Sequence, residues 1–160
     1  MLTAEHLINM YARNLAFIKQ LTEGFTHADS VVQPPVTGNC ANWVVGHIAT
    51  YRNRILTILG QPLVLDETLA QRYARDSKPV LGDEPGIGQF PVLLAAIETA
   101  QAELAIGLRA LTPEQAEQTK TIPPFTMSVA EWMIFLLRHE AYHTGQLELL
   151  QEIVKAEQEK

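Results

Sequence analysis

His139-Glu140-Ala141-Tyr142-His143-Thr144-Gly145-Gln146 lies inside a segment whose apolar residues recur at helical spacing. Side chains four residues apart share a helix face, with about 5–6 Å between their Cβ atoms, so two imidazoles placed this way reach one point. Val129, Trp132, Leu136, Leu147, Leu150 and Val154 continue the same stripe. Two strong metal ligands therefore stand where a core would otherwise be. Upstream, Ser128-Val129-Ala130-Glu131 has the form of a capping box that opens this last helix, and a charged stretch from Lys155 to Lys160 reads as a frayed tail.

The rest of the chain supplies three further long helices. Leu7, Tyr11, Leu15, Ile18, Leu21 and Phe25 predict a helix over 3–24, with Thr3 as N-cap and Gly24 near its stop. Residues 27–39 read as a loop, broken by Pro34-Pro35 and Gly38-Asn39. Val44, His47, Ile48, Tyr51, Ile55 and Ile58 share a face over 41–59, and Gly60-Gln61-Pro62 ends that helix. Residues 62–88 have no clean period beyond a short helical turn near 69–75, and read as a long crossover, an uncommon and often functional feature. Periodicity returns over 89–111 through Phe90, Leu93, Leu94, Ile97, Leu104, Leu108 and Leu111. Thr112-Pro113-Glu114-Gln115 forms a capped extra turn, and Ile122-Pro123-Pro124-Phe125 a loop. No repeat and no alternating strand pattern is evident. The expectation is one all-α domain over 1–160, a four-helix bundle with a long crossover between helices two and three.

With 160 residues, 47% of them hydrophobic and 19% charged, the chain can bury a real core and is not of the disordered class. A formal net charge of −6 argues against a nucleic-acid surface, which needs clustered Lys and Arg. Cys40 is the single cysteine, so no internal disulfide forms and a reducing, cytoplasmic setting is expected. Met1 to His6 lack the basic and apolar blocks of a signal peptide, and no uninterrupted apolar run is long enough for a bilayer, so no membrane association is expected.

One buried histidine is ordinarily a satisfied core residue. A pair at i, i+4 on an apolar face is different, because burying a polar nitrogen without a partner costs about 1–3 kcal/mol. One ion satisfies both rings. His47, on the apolar stripe of the second helix, is the third candidate; His6 in a first turn and His27 in a loop read as ordinary polar residues. Three neutral imidazoles suit Zn, Ni, Fe or Cu, and three protein ligands leave a position for water or substrate. Gly145 suits a close helix–helix approach, and Gln146 either orients a ligating ring or metal-bound water, or is a core-edge amide. Glu140 turns about 100° from His139. It is either a supporting or general-base carboxylate, or one half of a salt bridge to Arg138 or another basic neighbour. Arg52 and Arg54 read as a solvated face or as anchors for a substrate carboxylate. Cys40 falls out of reach of the ion and reads as a small buried hydrophobe.

Taken literally, His139-Glu140-x-x-His143 also matches the zincin pattern with Glu140 as base. No histidine follows His143, only glutamates (Glu148, Glu152, Glu157, Glu159) remain downstream as a third ligand, and no sheet is evident to hold a peptide. The closer resemblance is to the DinB-like (DinB/YfiT) family of metal-binding four-helix bundles. Asn42-Trp43-Val44-Val45-Gly46-His47-Ile48 is similar to the family's Trp-containing start of helix two and its first histidine. His139 to Leu147 is similar to its H-x-x-x-H-x-G-Q signature.

The resemblance implies one divalent metal, Zn or Ni, on His47, His139 and His143, and a homodimer. Some relatives are thiol-dependent transferases or isomerases using a low-molecular-weight thiol, and others have no known activity. The expected function is a metal-dependent enzyme that activates a thiol or water for S-transfer or hydrolysis on a small molecule. A non-catalytic metal-binding or dimeric structural bundle is the alternative. Ligand count separates the two, since a fourth protein ligand marks a structural site. Proton competition places loss of metal below about pH 6.5.

Overall fold

The computed structural model describes residues 3–159; Met1, Leu2 and Lys160, at the ends of the opening stretch and the charged tail, lie outside the described residues. The described chain is mostly helical. In order come α1 (Ala4–Leu21), α2 (His27–Ser30), α3 (Ala41–Leu59), α4 (Glu67–Arg72), α5 (Phe90–Ala110), α6 (Pro113–Ala116), β1 (Thr119–Ile122), β2 (Phe125–Ser128) and α7 (Val129–Gln158).

Local chemistry sets most of the boundaries. Thr3, Thr112 and Ser128 each close a capping box, with His6, Gln115 and Glu131 as the reciprocal partners. Gly60, at φ +68°, takes the left-handed conformation that ends α3. The last helix does not stop at Lys155 but continues to Gln158. The short α2 occupies part of the expected 27–39 loop, held by the Thr26–Asp29 capping box.

Residues 119–128 depart from the all-helical expectation. β1 and β2 pair antiparallel, Thr119 opposite Ser128 and Ile122 opposite Phe125, around Pro123-Pro124. The strands are mostly exposed, so neither carries a buried alternating face for a period to report. The hairpin is tied to α7 because the Trp132 indole Nε1 donates to the Lys120 carbonyl at 2.9 Å.

The four long helices close a ring in which α1 and α3 each contact both α5 and α7. Two apolar clusters fill it. One includes Ile18, Ile48, Ile97 and Leu147; the other includes Tyr11, Ile55, Leu104 and Leu136. The order of these residues makes α3 and α5 run the same way. The segment 60–89 must therefore carry the chain back to the end where α3 began, and there the Asn42 side chain donates to the Gly88 carbonyl at 3.0 Å. By length and composition α5 is apolar enough to cross a membrane; here it packs as a core helix with Leu93, Ile97, Ala100 and Leu104 fully buried.

A polar layer separates the two clusters. Arg52 is 0% exposed and its guanidinium forks onto Glu140, Nε to Oε2 at 2.6 Å and Nη2 to Oε1 at 2.8 Å. Its remaining donors reach the Gln101 side chain at 2.8 Å and the Tyr11 carbonyl at 3.1 Å. Asn14 donates to Glu140 Oε1 at 3.2 Å. A buried ion pair is tolerated when the fork is complete and the other polar atoms are satisfied, as they are here. The pair locks α3 to α7, the two helices that carry the histidines.

Candidate metal centre

His47 projects from α3, and His139 and His143 from α7, into the same space. One ring nitrogen of each lies within 4.8 Å of the others. His139 Nε2 is 3.4 Å from His47 Nε2 and 3.2 Å from His143 Nε2. His47 and His143 are buried, and His139 is half-buried at the floor of a cleft.

The far side of two rings determines what the near side can do. His47 Nδ1 donates to the Tyr73 carbonyl at 2.6 Å, and a carbonyl can only accept, so Nδ1 carries the proton. His143 Nδ1 likewise donates to Gln146 Oε1 at 2.7 Å. In a neutral ring this leaves Nε2 as a bare lone pair. A proton on His139 Nε2 can serve only one of its two neighbours, whereas a cation serves all three. Nitrogens held at about 2.0–2.1 Å on a tetrahedral Zn²⁺ lie about 3.3 Å apart, close to the two spacings above. The donor set therefore fits a divalent metal.

The rings are also held in the ligating protonation state. Burial pushes His47 down to about 4, opposed by its bond to Tyr73. Burial and then the charges of its two histidine neighbours push His139 down to about 3. Burial lowers His143 as well, with Gln146 acting the other way. All three are neutral at neutral pH, so no imidazolium has to lose its charge before a cation binds.

Aromatic packing fixes the ring planes. Trp43 stacks on His47 with centroids 4.5 Å apart, and Tyr51 stacks on His139 at 4.0 Å. Tyr73 carries no motif in the sequence, yet it organises this corner. It terminates α4, hands its carbonyl to His47, donates its hydroxyl to Asn42 Oδ1 at 2.7 Å and accepts from the Gly88 amide at 2.8 Å. Its ring lies against Gly46, where an added Cβ would stand 2.4 Å from Tyr73 Cδ1. The close approach expected at Gly145 occurs at Gly46 instead; Gly145 is exposed with nothing within 4 Å of an added Cβ.

Other expectations change on the same grounds. Glu140, considered as a base beside the metal, has both oxygens engaged by Arg52 and Asn14 instead. The 100° turn from His139 takes it into the polar layer, which also removes the base that a zincin reading needs. Arg52 is part of that buried pair and not of any surface, whereas Arg54 lines the cleft. Gln146 is found on the Nδ1 of His143. The Cys40 thiol is buried, donates to the Val80 carbonyl at 3.5 Å and is held protonated by its burial. His6 caps α1, and His27 accepts from the Phe90 amide and meets Asp83.

The cleft above the histidines has a volume of about 650 Å³, room for a small molecule. Its walls come from α3, α7, the residues just after α4 and the hairpin turn at Pro123, Pro124 and Phe125.

A family model described as the DinB superfamily matches residues 6–147. A crystal structure of a conserved protein from Enterococcus faecalis superposes with a TM-score of 0.72 at 15% identity, covering 98% of this chain and 99% of that one, which shows a shared fold. No curated protein matches the chain.

Proposed function

The chain belongs to the DinB superfamily, and from that premise we propose that it is a metal-dependent enzyme acting on a small molecule. The observation that carries this reading is the convergence of three neutral imidazoles, two with Nε2 stripped of its proton, at the floor of a cleft. His47, His139 and His143 hold one divalent ion, Zn²⁺ or Ni²⁺. When bound, such an ion acts as a Lewis acid that makes the deprotonated form of a thiol or a water available near neutral pH. S-transfer from a low-molecular-weight thiol, or hydrolysis, is the reaction class this supports.

The protein's own residues have defined tasks in this reading. Tyr73 and Gln146 fix the tautomers of His47 and His143. Trp43 and Tyr51 hold the ring planes. The Arg52–Glu140 pair keeps α3 and α7 in register, so that ligands from two helices stay together. The cluster of ligating side chains among the described residues stops at three, and the cleft meets it on the open side. That favours a site that admits substrate over a closed structural one. One four-helix-bundle domain, a cytoplasmic setting and the homodimer implied by the family complete the proposal.

Elemental analysis of the purified protein, followed by transfer assays with several low-molecular-weight thiols, tests the reading. Bound Zn or Ni with thiol-dependent turnover supports it. A metal-loaded protein inert with every thiol and in hydrolysis assays would favour the non-catalytic bundle.

A further inference from the structure

The cleft carries a charge of opposite sign to the chain. The chain has a formal net charge of −6, yet among the described residues Asp76 is the single acid lining this cleft. Asp76 sits at the rim, highly exposed, 3.6 Å from the equally exposed Arg75. That leaves Arg54, which is half-buried in the wall and has no carboxylate partner among the described residues. Its guanidinium lies over the Tyr51 ring, 4.6 Å from the centroid, and the same ring stacks on His139 at 4.0 Å and 23°. Arg54, Tyr51 and His139 form a continuous stack from the cleft wall to the three-nitrogen centre.

A guanidinium braced on an aromatic face keeps its fork of N–H donors oriented, and that fork matches a carboxylate. Much of the surrounding wall is aromatic, with Trp43, Phe125, Phe135 and Tyr142 among the residues that line the cleft. Aromatic walls of this kind stack against a planar apolar body. Neither feature is required by a metal centre alone.

We propose that the cleft binds a small monoanion with a flat apolar body, its carboxylate on Arg54 and its ring among the aromatic walls. This rests on the reading of the cleft as the reaction site, and it names the substrate class for that site. Arg54 is a specificity-determining residue in this account, and it does not hold the metal.

Benzoate is the probe, titrated into metal-stripped and zinc-loaded protein by calorimetry and by quenching of Trp43 and Trp132, the two tryptophans, both of which line the cleft. A charge-assisted hydrogen bond to a carboxylate sets the scale, about tenfold or more in affinity. Arg54→Gln should weaken benzoate by at least that factor in both forms, while Arg54→Lys retains part of the affinity. On the wild type, acetate (no ring) and benzyl alcohol (no charge) should each bind at least about tenfold more weakly than benzoate. Benzoate that fails to bind wild-type protein, that binds Arg54→Gln as tightly, or that is matched by acetate or benzyl alcohol overturns the proposal. Zinc stoichiometry is measured on the same samples. Failure to take up zinc strikes the metal reading alone, and the metal-stripped arm still judges the anion site.

Discussion

His47 Nδ1 donates to the main-chain carbonyl of Tyr73 at 2.6 Å. One bond thus joins a residue on α3 to the connection that follows α4, and it sets which nitrogen of His47 faces the other two rings. Gly46, the preceding residue, is where the Tyr73 ring rests. Gly46→Ala would place a methyl 2.4 Å from that ring, so the ring and its carbonyl must move. The expected cost is about 1–3 kcal/mol in urea unfolding, as for other overpacked sites. Zinc affinity should fall with it. Gly145→Ala is the control: it meets nothing, removes a helix-interior glycine, and should stabilise by up to about 1 kcal/mol with zinc affinity unchanged. Tight zinc binding by Gly46→Ala would show that Tyr73 does not set the orientation of His47.

Gln146 has the same task for His143, through a side-chain carbonyl. Hydrogen-bond partners of metal ligands are commonly worth about 10–100-fold in affinity. Gln146→Ala should weaken zinc by an amount in that range without changing the stoichiometry. Unchanged affinity would reduce Gln146 to a rim amide.

The Arg52–Glu140 fork has a different signature, because it acts on folding rather than on chemistry. Removing one member leaves an uncompensated buried charge, which costs about 3–5 kcal/mol. Glu140→Ala and Arg52→Ala should each lose stability of that order in chemical denaturation. A double replacement with apolar residues of matching volume should recover much of the loss. Glu140→Ala that folds as well as wild type but has lost turnover would restore Glu140 to a catalytic part.

How much of this is legible in the sequence depends on what each feature leaves there. His47, His139 and His143 are visible because a polar ring on an apolar stripe breaks a pattern, and the structure brings them together. The four long helices are visible because their apolar residues recur at helical spacing, and α1 and α7 also open on capping boxes. Tyr73 is not, because the bond it gives His47 comes from a backbone carbonyl that every residue has. The 119–128 hairpin is not, because exposed strands carry no alternation. Glu140 is half legible: the helical turn says that it points away from His139, but nothing in the sequence says that Arg52, of a type normally exposed, lies fully buried to meet it.

Burial also moves the pH window. An ordinary histidine titrates near 6.5, but His47 in the fold sits at about 4 and His139 at about 3. Between those values and 6.5 the unfolded chain binds more protons than the folded one, so stability rises with pH across that window. The contribution of these rings is fully present above about pH 6.5 and is lost as pH falls through the folded values. Metal-free protein should therefore lose unfolding free energy steadily from pH 6.5 downward, and His47→Gln should flatten that slope. The same depression means that protons compete for folded His47 and His139 well below pH 6.5, so zinc should be held to a lower pH than ordinary histidines would hold it. A His47→Gln slope equal to that of wild type would contradict the assigned cause.

In the proposed centre three imidazoles from two helices share one cation. The most direct measurement is calorimetric zinc titration of chelator-stripped protein, wild type beside His47→Ala, His139→Ala and His143→Ala. Wild type should take up one ion per chain, and each variant should bind about two orders of magnitude or more weakly, since each removes one of three ligands. Any one of the three binding zinc as tightly as wild type, or wild type taking up no zinc, would contradict it.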